Sequence, residues 1–388
     1  MEAKQKMVFI TSRFPYPLDK GDKLRAFNLI QQLSQKHDIL LVALSDEEVK
    51  PEWRNKLVQY TVDIRVYHLG RIGIILRLIA NMLQSKPFQI AYFTDIIIRR
   101  KIKKLLVEFE PDHIFCQMIR PAEYVKNYHR CRKTIDYMDL LSIGMERRAK
   151  KSSFFKNFVF KLEAQRLADY EQRLFNYFEF HLMISQQDAN GFPYELRKRL
   201  TIIPNGINTD YFAPNFEMVP LFELVFVGNL SYAPNIDAVK WMCRNILKHR
   251  EDLRLLIAGS DLGSGLKSFV KGYANVTILG WQEDIRATYA QGKIFLAPMQ
   301  MGTGLQNKIL EAMAMQLPCI TTSLVSAAIP ESPIIVADFA EEIIATIDAL
   351  LGNTEEAKRL GQKGRTFVLK RYSWENWVTN YERLIDQN

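Results

Sequence analysis

The chain has 388 residues, of which 48% are hydrophobic and 24% charged. These are globular proportions, so wholesale disorder and fibrous repeats are excluded, and the length suits two domains of about 200 residues. Charge is unevenly spread within the net +9: residues 1–205 carry 35 Lys and Arg against 23 Asp and Glu, residues 206–388 carry 17 against 20. A basic first half calls for an anionic partner such as a membrane face, a phosphorylated lipid or nucleic acid.

Residues 1–6 lead straight into an apolar run at 7–11, with no signal-peptide core or small-residue cleavage site. Cys116, Cys131, Cys243 and Cys319 form no CxxC pair or metal-ligand spacing and are expected to be reduced thiols. Both features lead us to expect a cytoplasmic protein. The longest apolar stretch, 72–83, is interrupted by Arg77 and is short of the ~20 residues that a membrane span needs.

Short β-rich runs alternate with longer amphipathic stretches. In the first half strands are expected at 7–11, 39–44, 62–68, 113–116, 134–137 and 180–185, with helices such as 23–36 and 95–109 between them. In the second half strands are expected at 224–227, 253–258, 276–279, 294–297, 319–322 and 334–336, separated by helices at 236–247, 304–315 and 340–351. Such alternation means parallel sheets wound by right-handed crossovers. Turn residues cluster at Pro204, Asn205 and Gly206, with Pro214 and Pro220 following. The expected architecture is therefore α/β, with two Rossmann-like domains facing across a cleft. Ligands are expected at the carboxyl ends of the strands, and closure of the domains on the ligand is expected.

The first candidate loop follows the first strand and contains Gly21, Asp22, Lys23 and Arg25. Gly21 permits close backbone approach, Asp22 is a reasonable N-cap, and the helix that follows can turn its N–H groups to a phosphate. An ordinary strand-to-helix loop would read the same way. The second candidate, Gly302-Thr303-Gly304-Leu305-Gln306-Asn307-Lys308-Ile309-Leu310-Glu311, passes from a strand through a glycine turn into a helix. Lys308 and Glu311 lie three apart and share a helical face. Both neighbours of Glu311 are apolar, and a carboxylate in a mostly buried helix needs a partner. A cation and a carboxylate placed there suit the diphosphate and ribose of a nucleotide better than a solvated ion pair.

Further segments share this grammar: Pro204-Asn205-Gly206-Ile207, Phe226-Val227-Gly228-Asn229-Leu230, Leu256-Ile257-Ala258-Gly259, Ile278-Leu279-Gly280-Trp281 and Lys308-Ile309-Leu310-Glu311-Ala312-Met313-Ala314. Their order and spacing resemble those of retaining glycosyltransferases of family 4, over nearly the whole chain. The loop Arg13-Phe14-Pro15-Tyr16-Pro17 with Lys20-Gly21-Asp22-Lys23 resembles that of a bacterial exopolysaccharide subgroup. The resemblance implies the glycosyltransferase B fold. It implies an acceptor domain over 1–205, a nucleotide-sugar domain over 206–371 and a helix over 372–388 crossing back to the first. It further implies transfer of a hexosyl-type sugar from a nucleotide diphosphate to a lipid-linked or glycan acceptor in cell-surface polysaccharide biosynthesis, by front-face displacement with retention. Lys308 and Glu311 would be the central residues. Gly228, Asn229, Trp281, Gly302, Thr303, Gly304 and Asp139 would join the first loop in substrate binding. The backbone at Trp281 is where relatives meet the base, while the Trp281 side chain is expected to pack at the cleft wall. A loop or capping role suits Asp136 and Asp139 better than a role in the chemistry.

The departures are specific. Thr303 stands where the family's first glutamate belongs, Asn229 follows Gly228 in place of an arginine, and Pro234 stands near an expected lysine. Lys308 is expected to compensate. No metal-ligand set stands out, so no metal or other cofactor is expected beyond the nucleotide-sugar substrate. A catalytically degenerate scaffold and a nucleotide-sugar epimerase are the competing readings, the latter without a paired acid and base. Two basic stretches remain, 99–104 and 147–161, the second interleaved with Phe154, Phe155, Phe158 and Phe160. They suit an anionic bilayer on the inner face of the cytoplasmic membrane. No RRM, KH or helix-turn-helix signature accompanies them, so no nucleic acid is expected.

Overall fold

The computed structural model describes residues 4–82, 84–150, 152–214, 218–301 and 305–386, apart from the side chains of Phe154 and Phe155. It divides into two compact units, Met1–Asn205 with Val378–Asn388, and Gly206–Trp377.

The first unit is built on seven parallel strands: β1 (Gln5–Thr11), β2 (His37–Ser45), β3 (Asp63–His68), β4 (His113–Gln117), β5 (Arg132–Asp136), β6 (Phe180–Met183) and β7 (Leu200–Ile202). Their spatial order is β3-β2-β1-β4-β5-β6-β7. β1 pairs on one side with β2, Met7 opposite Ile39, and on the other with β4, Met7 opposite His113. Both central strands are continuous apolar runs because helices cover both faces of the sheet. Phe9 and Phe115 stack across the β1–β4 pair with ring centroids 4.7 Å apart. The chain runs outward from β1 to β3 and then returns to place β4 beside β1. The loops after β1 and β4 therefore diverge, leaving a crevice at the carboxyl end of the sheet.

Part of this unit comes from the far end of the chain. The last helix, Trp374–Asp386, supplies Tyr381, whose hydroxyl lies 3.0 Å from both Thr134 Oγ1 and His113 Nε2, and Glu382, 2.8 Å from His37 Nε2. Burial lowers the His113 pKa to about 3, so its ring is neutral in this cluster.

The second unit repeats the plan with β8 (Phe222–Val227), β9 (Leu255–Ala258), β10 (Val276–Ile278), β11 (Gly292–Ala297), β12 (Cys319–Thr321) and β13 (Ile335–Val336), in the order β10-β9-β8-β11-β12-β13. Its crevice lies between the ends of β8 and β11. Most expected elements form, with shifted ends. The helix expected at 23–36 is Gly21–Leu33 and the one expected at 304–315 is Asn307–Ala314. One expectation is corrected here: Asp22 is not an N-cap. The helix starts at Gly21, Lys20 precedes it, and the Asp22 carboxylate turns to Arg13 at 2.8 Å. Strand β7 escapes sequence reading because three half-buried residues carry no pattern. All four cysteines are free thiols.

Candidate functional site

In the second unit the carboxyl end of β8 delivers Gly228 and Asn229. Gly259, at the end of β9, has φ +152°, and a Cβ there would fall 1.7 Å from the Gly228 carbonyl oxygen. The two strand ends thus meet backbone to backbone, and only glycine fits. A Cβ at Gly228 would sit 2.7 Å from Asn235 Nδ2. Gly228 therefore makes room for a buried amide that sequence reasoning overlooked.

Asn229 builds the turn. Its Oδ1 accepts from Ser231 N (2.8 Å), Ser231 Oγ (2.7 Å) and Tyr232 N (3.1 Å), while Nδ2 donates to Asp261 at 2.8 Å. This is the ordinary Asx device by which a short amide shapes a loop. The Asn229 carbonyl accepts from Asn235 Nδ2 at 2.8 Å, and Asn235 Oδ1 accepts from the Lys308 ammonium. Lys308 reaches it from the first turn of the Asn307–Ala314 helix, after β11. Its ammonium lies 5.1 Å from the centre of the Phe226 ring. Burial pulls its pKa down to about 8, with Glu311 opposing the shift. Among the described residues Lys308 pairs with no carboxylate. Its partners are a neutral amide and a ring face.

Glu311, one helical turn on, accepts from the Tyr289 hydroxyl at 2.8 Å. Tyr289 is fully buried on the Ile285–Ala290 helix. Burial raises the Glu311 carboxyl above its ordinary range, against the Tyr289 hydrogen bond and Lys308. Tyr289 was the second residue missed, although a tyrosine among apolar neighbours signals a hydroxyl in need of a partner. Gly302, Thr303 and Gly304 lie outside the described residues. Trp281, just past β10, is 69% exposed, which corrects its expected packing against a wall. Its ring face is open to stacking.

In the first unit the corresponding crevice gathers Arg13, Asp22, Lys23 and Asp139 at the ends of β1 and β5. Lys23 is buried and pairs with Asp19 at 3.0 Å. An added Cβ at Gly21 meets no protein atom within 4 Å. Asp139 is exposed, directly after Met138, whose φ of 63° is left-handed; Met118, after β4, has φ 64°. Non-glycine residues in that region are costly and concentrate at functional sites. Arg120, two residues past Met118, was not anticipated. Its guanidinium donates to Gln89 Oε1 at 2.9 Å, and burial together with Arg13 lowers its pKa. Arg25 lies elsewhere than expected. It is fully buried, with Nε 2.6 Å from Asp136 and further bonds to Asn205 Oδ1 (2.7 Å) and the Ile203 carbonyl (3.3 Å). That arrangement ties β5 to the end of the unit and makes Arg25 a scaffold residue.

Residues 222–353 match the family model of the group 1 glycosyl transferases. The match covers most of the second unit. A curated relative, an uncharacterized 44.6 kDa protein in the cps region of Klebsiella pneumoniae, is 23% identical over 344 residues, covering 82% of this chain and 83% of the relative. Among solved structures, a sucrose-phosphate synthase from Thermosynechococcus elongatus aligns with TM-score 0.66 at 15% identity, covering 99% of each chain. HepE of Anabaena, solved with UDP and glucose, aligns with TM-score 0.66 at 12% identity, covering 99% of this chain and 100% of that one. The fold is the glycosyltransferase B type, with two parallel-sheet α/β units.

Proposed function

We propose that the protein transfers a hexosyl-type sugar from a nucleoside diphosphate, with retention at the sugar carbon, to a lipid-linked or glycan acceptor of a cell-surface polysaccharide. The observation that carries this reading is Lys308: a buried ammonium at the sheet crevice of the second unit, held by a neutral amide and, among the described residues, paired with no carboxylate. Such a cation is a preorganised counter-charge for a leaving diphosphate. The first turn of its helix adds N–H dipoles of the same sign. Glu311, oriented by Tyr289, is assigned to the ribose hydroxyls, and exposed Trp281 to the neighbourhood of the base. Asn229 and Gly228 shape the loop that holds Asn235 against Lys308.

The first unit is assigned the acceptor, through the Gly21–Lys23 loop and Asp139, with Arg120 added. Transfer without a required metal follows if Lys308 and the helix amides supply the positive charge. UDP is the first nucleotide to try because HepE was solved with it, and a polysaccharide acceptor fits the cps-region relative. The basic 147–161 stretch spans the ends of the Leu141–Lys150 and Phe154–Arg173 helices, and Phe158 is 69% exposed. We assign this half of the molecule to the inner face of the cytoplasmic membrane. No helix among the described residues is long and apolar enough to cross a membrane.

The test is nucleotide release from UDP-, GDP-, ADP- and TDP-sugars, with and without polyprenyl-diphosphate-linked saccharide. Acceptor-dependent release with one donor is expected, with the anomeric configuration of the donor kept in the product. Failure to bind any nucleotide sugar would sink the reading. Binding without turnover would favour a scaffold.

A further inference from the structure

The Arg71–Asn81 helix is amphipathic in an unusual sense: its apolar side faces water. Ile74 is buried and Leu78 packs on the core, while Ile72 (77%), Ile75 (56%), Leu76 (61%) and Ile79 (59%) are exposed. Positions 72, 75, 76 and 79 are one stripe of a helix. Single exposed apolar residues need no explanation, but a contiguous stripe of four large ones does. The helix contains no acidic residue.

The stripe is fixed in place. Arg77 reaches Asp95 at 2.5 Å and the Tyr92 carbonyl at 3.3 Å. Asp95 caps the Ile96–Phe109 helix, accepting from the N–H groups of Ile97 and Ile98. That helix opens with Ile96 and Ile97, 61% and 65% exposed, and continues with exposed Arg99, Arg100, Lys101, Lys103 and Lys104. Its one carboxylate, Glu108, is paired with Lys104 at the far end. Through Arg77 and Asp95 the striped helix is thus tied to the start of a helix that carries five exposed cations.

We propose that the Arg71–Asn81 helix lies in the interface of an anionic lipid bilayer, its Ile72–Ile79 stripe in the acyl boundary and the cations of the Ile96–Phe109 helix on the lipid headgroups. The proposal rests on the membrane reading above and assigns the inserting element, which the 147–161 stretch is not. Charge selects this occupant. Apolar side chains beside a basic block are the composition that inserts between anionic lipids. A second copy docked symmetrically through this face would bring two cationic blocks together. A stripe of four side chains about 11 Å long on one helix is also too small to supply the ~800 Å² per partner of a stable interface.

The full chain is sedimented with vesicles of phosphatidylcholine alone and of phosphatidylcholine with phosphatidylglycerol, at low and high salt. Wild type is expected on the anionic vesicles, with a fraction that survives high salt, because apolar insertion is not screened. Combining Ile75→Ser, Leu76→Ser and Ile79→Ser should remove that fraction and weaken partition at least about tenfold. The melting temperature should be preserved, since these side chains are exposed. A Leu76→Trp variant gives an independent readout: its fluorescence should shift to the blue on anionic vesicles beyond the wild-type change. Wild-type partition in the triple-serine variant, with loss on Lys150→Glu and Lys156→Glu, would overturn the helix assignment and leave the membrane reading standing. No binding of wild type to either vesicle would overturn both. A wild-type dimer that becomes a monomer in the triple-serine variant would make the stripe an interface between copies and overturn the proposal.

Discussion

The two sheets end in crevices of the same topology, yet they treat positive charge in opposite ways. In the first unit three cations at the strand ends are answered by carboxylates, Arg13 by Asp22, Lys23 by Asp19 and Arg25 by Asp136, while Arg120 is held by the Gln89 amide. In the second, Lys308 is answered by the amide of Asn235 and the face of Phe226, while the nearby carboxylate of Glu311 is engaged by Tyr289. A compensated cation contributes to structure and has little field left for a ligand. An uncompensated buried one costs stability and keeps its field. The proposed leaving-group role of the second unit rests on this difference, and each variant below tests one side of it.

The largest effect is expected where compensation is most complete. Arg25 and Asp136 are both fully buried, so Arg25→Ala leaves a carboxylate without its counter-charge and removes the tie to Asn205. Unfolding in urea should show a loss of about 3–5 kcal/mol. A change below about 1 kcal/mol would mean that Arg25 is not the structural residue its burial indicates.

Lys308→Ala is next. It should lower kcat about 10²–10³-fold with a smaller change in donor affinity, because the diphosphate gains charge as the glycosidic bond breaks. Lys23→Ala, whose partner Asp19 is half exposed, should stay within about fivefold. Equal losses in the two variants would erase the distinction between the units. The same lysine sets a pH dependence. With its pKa near 8, kcat/KM should fall about tenfold per unit of pH above that value as the ammonium is lost, and Lys308→Arg should abolish that limb. Stability moves the other way. Between about 8 and the ordinary 10.5 the unfolded chain holds the proton that the folded chain has released, so this residue's contribution to stability rises with pH across that window. The difference in melting temperature between wild type and Lys308→Met should therefore shrink from neutral pH to about pH 10.

Glu311→Ala should weaken donor binding by about 1.5–3 kcal/mol, the range for a hydrogen bond to a charged group, with the fold intact. Titration calorimetry with the productive nucleotide sugar reads this directly. Unchanged affinity would remove Glu311 from the ribose.

Much of this architecture was legible in the sequence because parallel sheets announce themselves as apolar runs between amphipathic stretches. The pair Lys308 and Glu311 was legible because a charged residue in an apolar helix has to be explained. The partners were not. Asn235 lies 73 positions before Lys308 and Tyr289 lies 22 before Glu311, each in a different crossover, and only the fold brings them there. Arg25 failed for a related reason. From the sequence it is one more cation on a loop-proximal helix, and nothing local reveals that its face points at Asp136, 111 positions away. Trp281 failed because an average tryptophan is buried, whereas this one stands exposed.

The smallest effect concerns the partner that the sequence hid. Tyr289 donates to Glu311 at 2.8 Å in a fully buried setting, so Tyr289→Phe deletes one hydrogen bond and almost no volume. Donor affinity should fall by about 0.5–1.5 kcal/mol, roughly two- to tenfold, because the carboxylate loses the contact that orients it. That hydrogen bond also holds the Glu311 pKa down against burial, so without it the carboxyl protonates at higher pH. The acid limb of donor binding should therefore move upward in Tyr289→Phe, and Tyr289→Leu should not restore it. Calorimetry across the acid range separates orientation from mere packing. A packing role would lower the melting temperature without moving the limb. Tighter donor binding in Tyr289→Phe would show that the hydroxyl occupies the oxygen a ribose would need, which would make Glu311 the compensated carboxylate of this unit and leave Lys308 as its single ligand-facing charge.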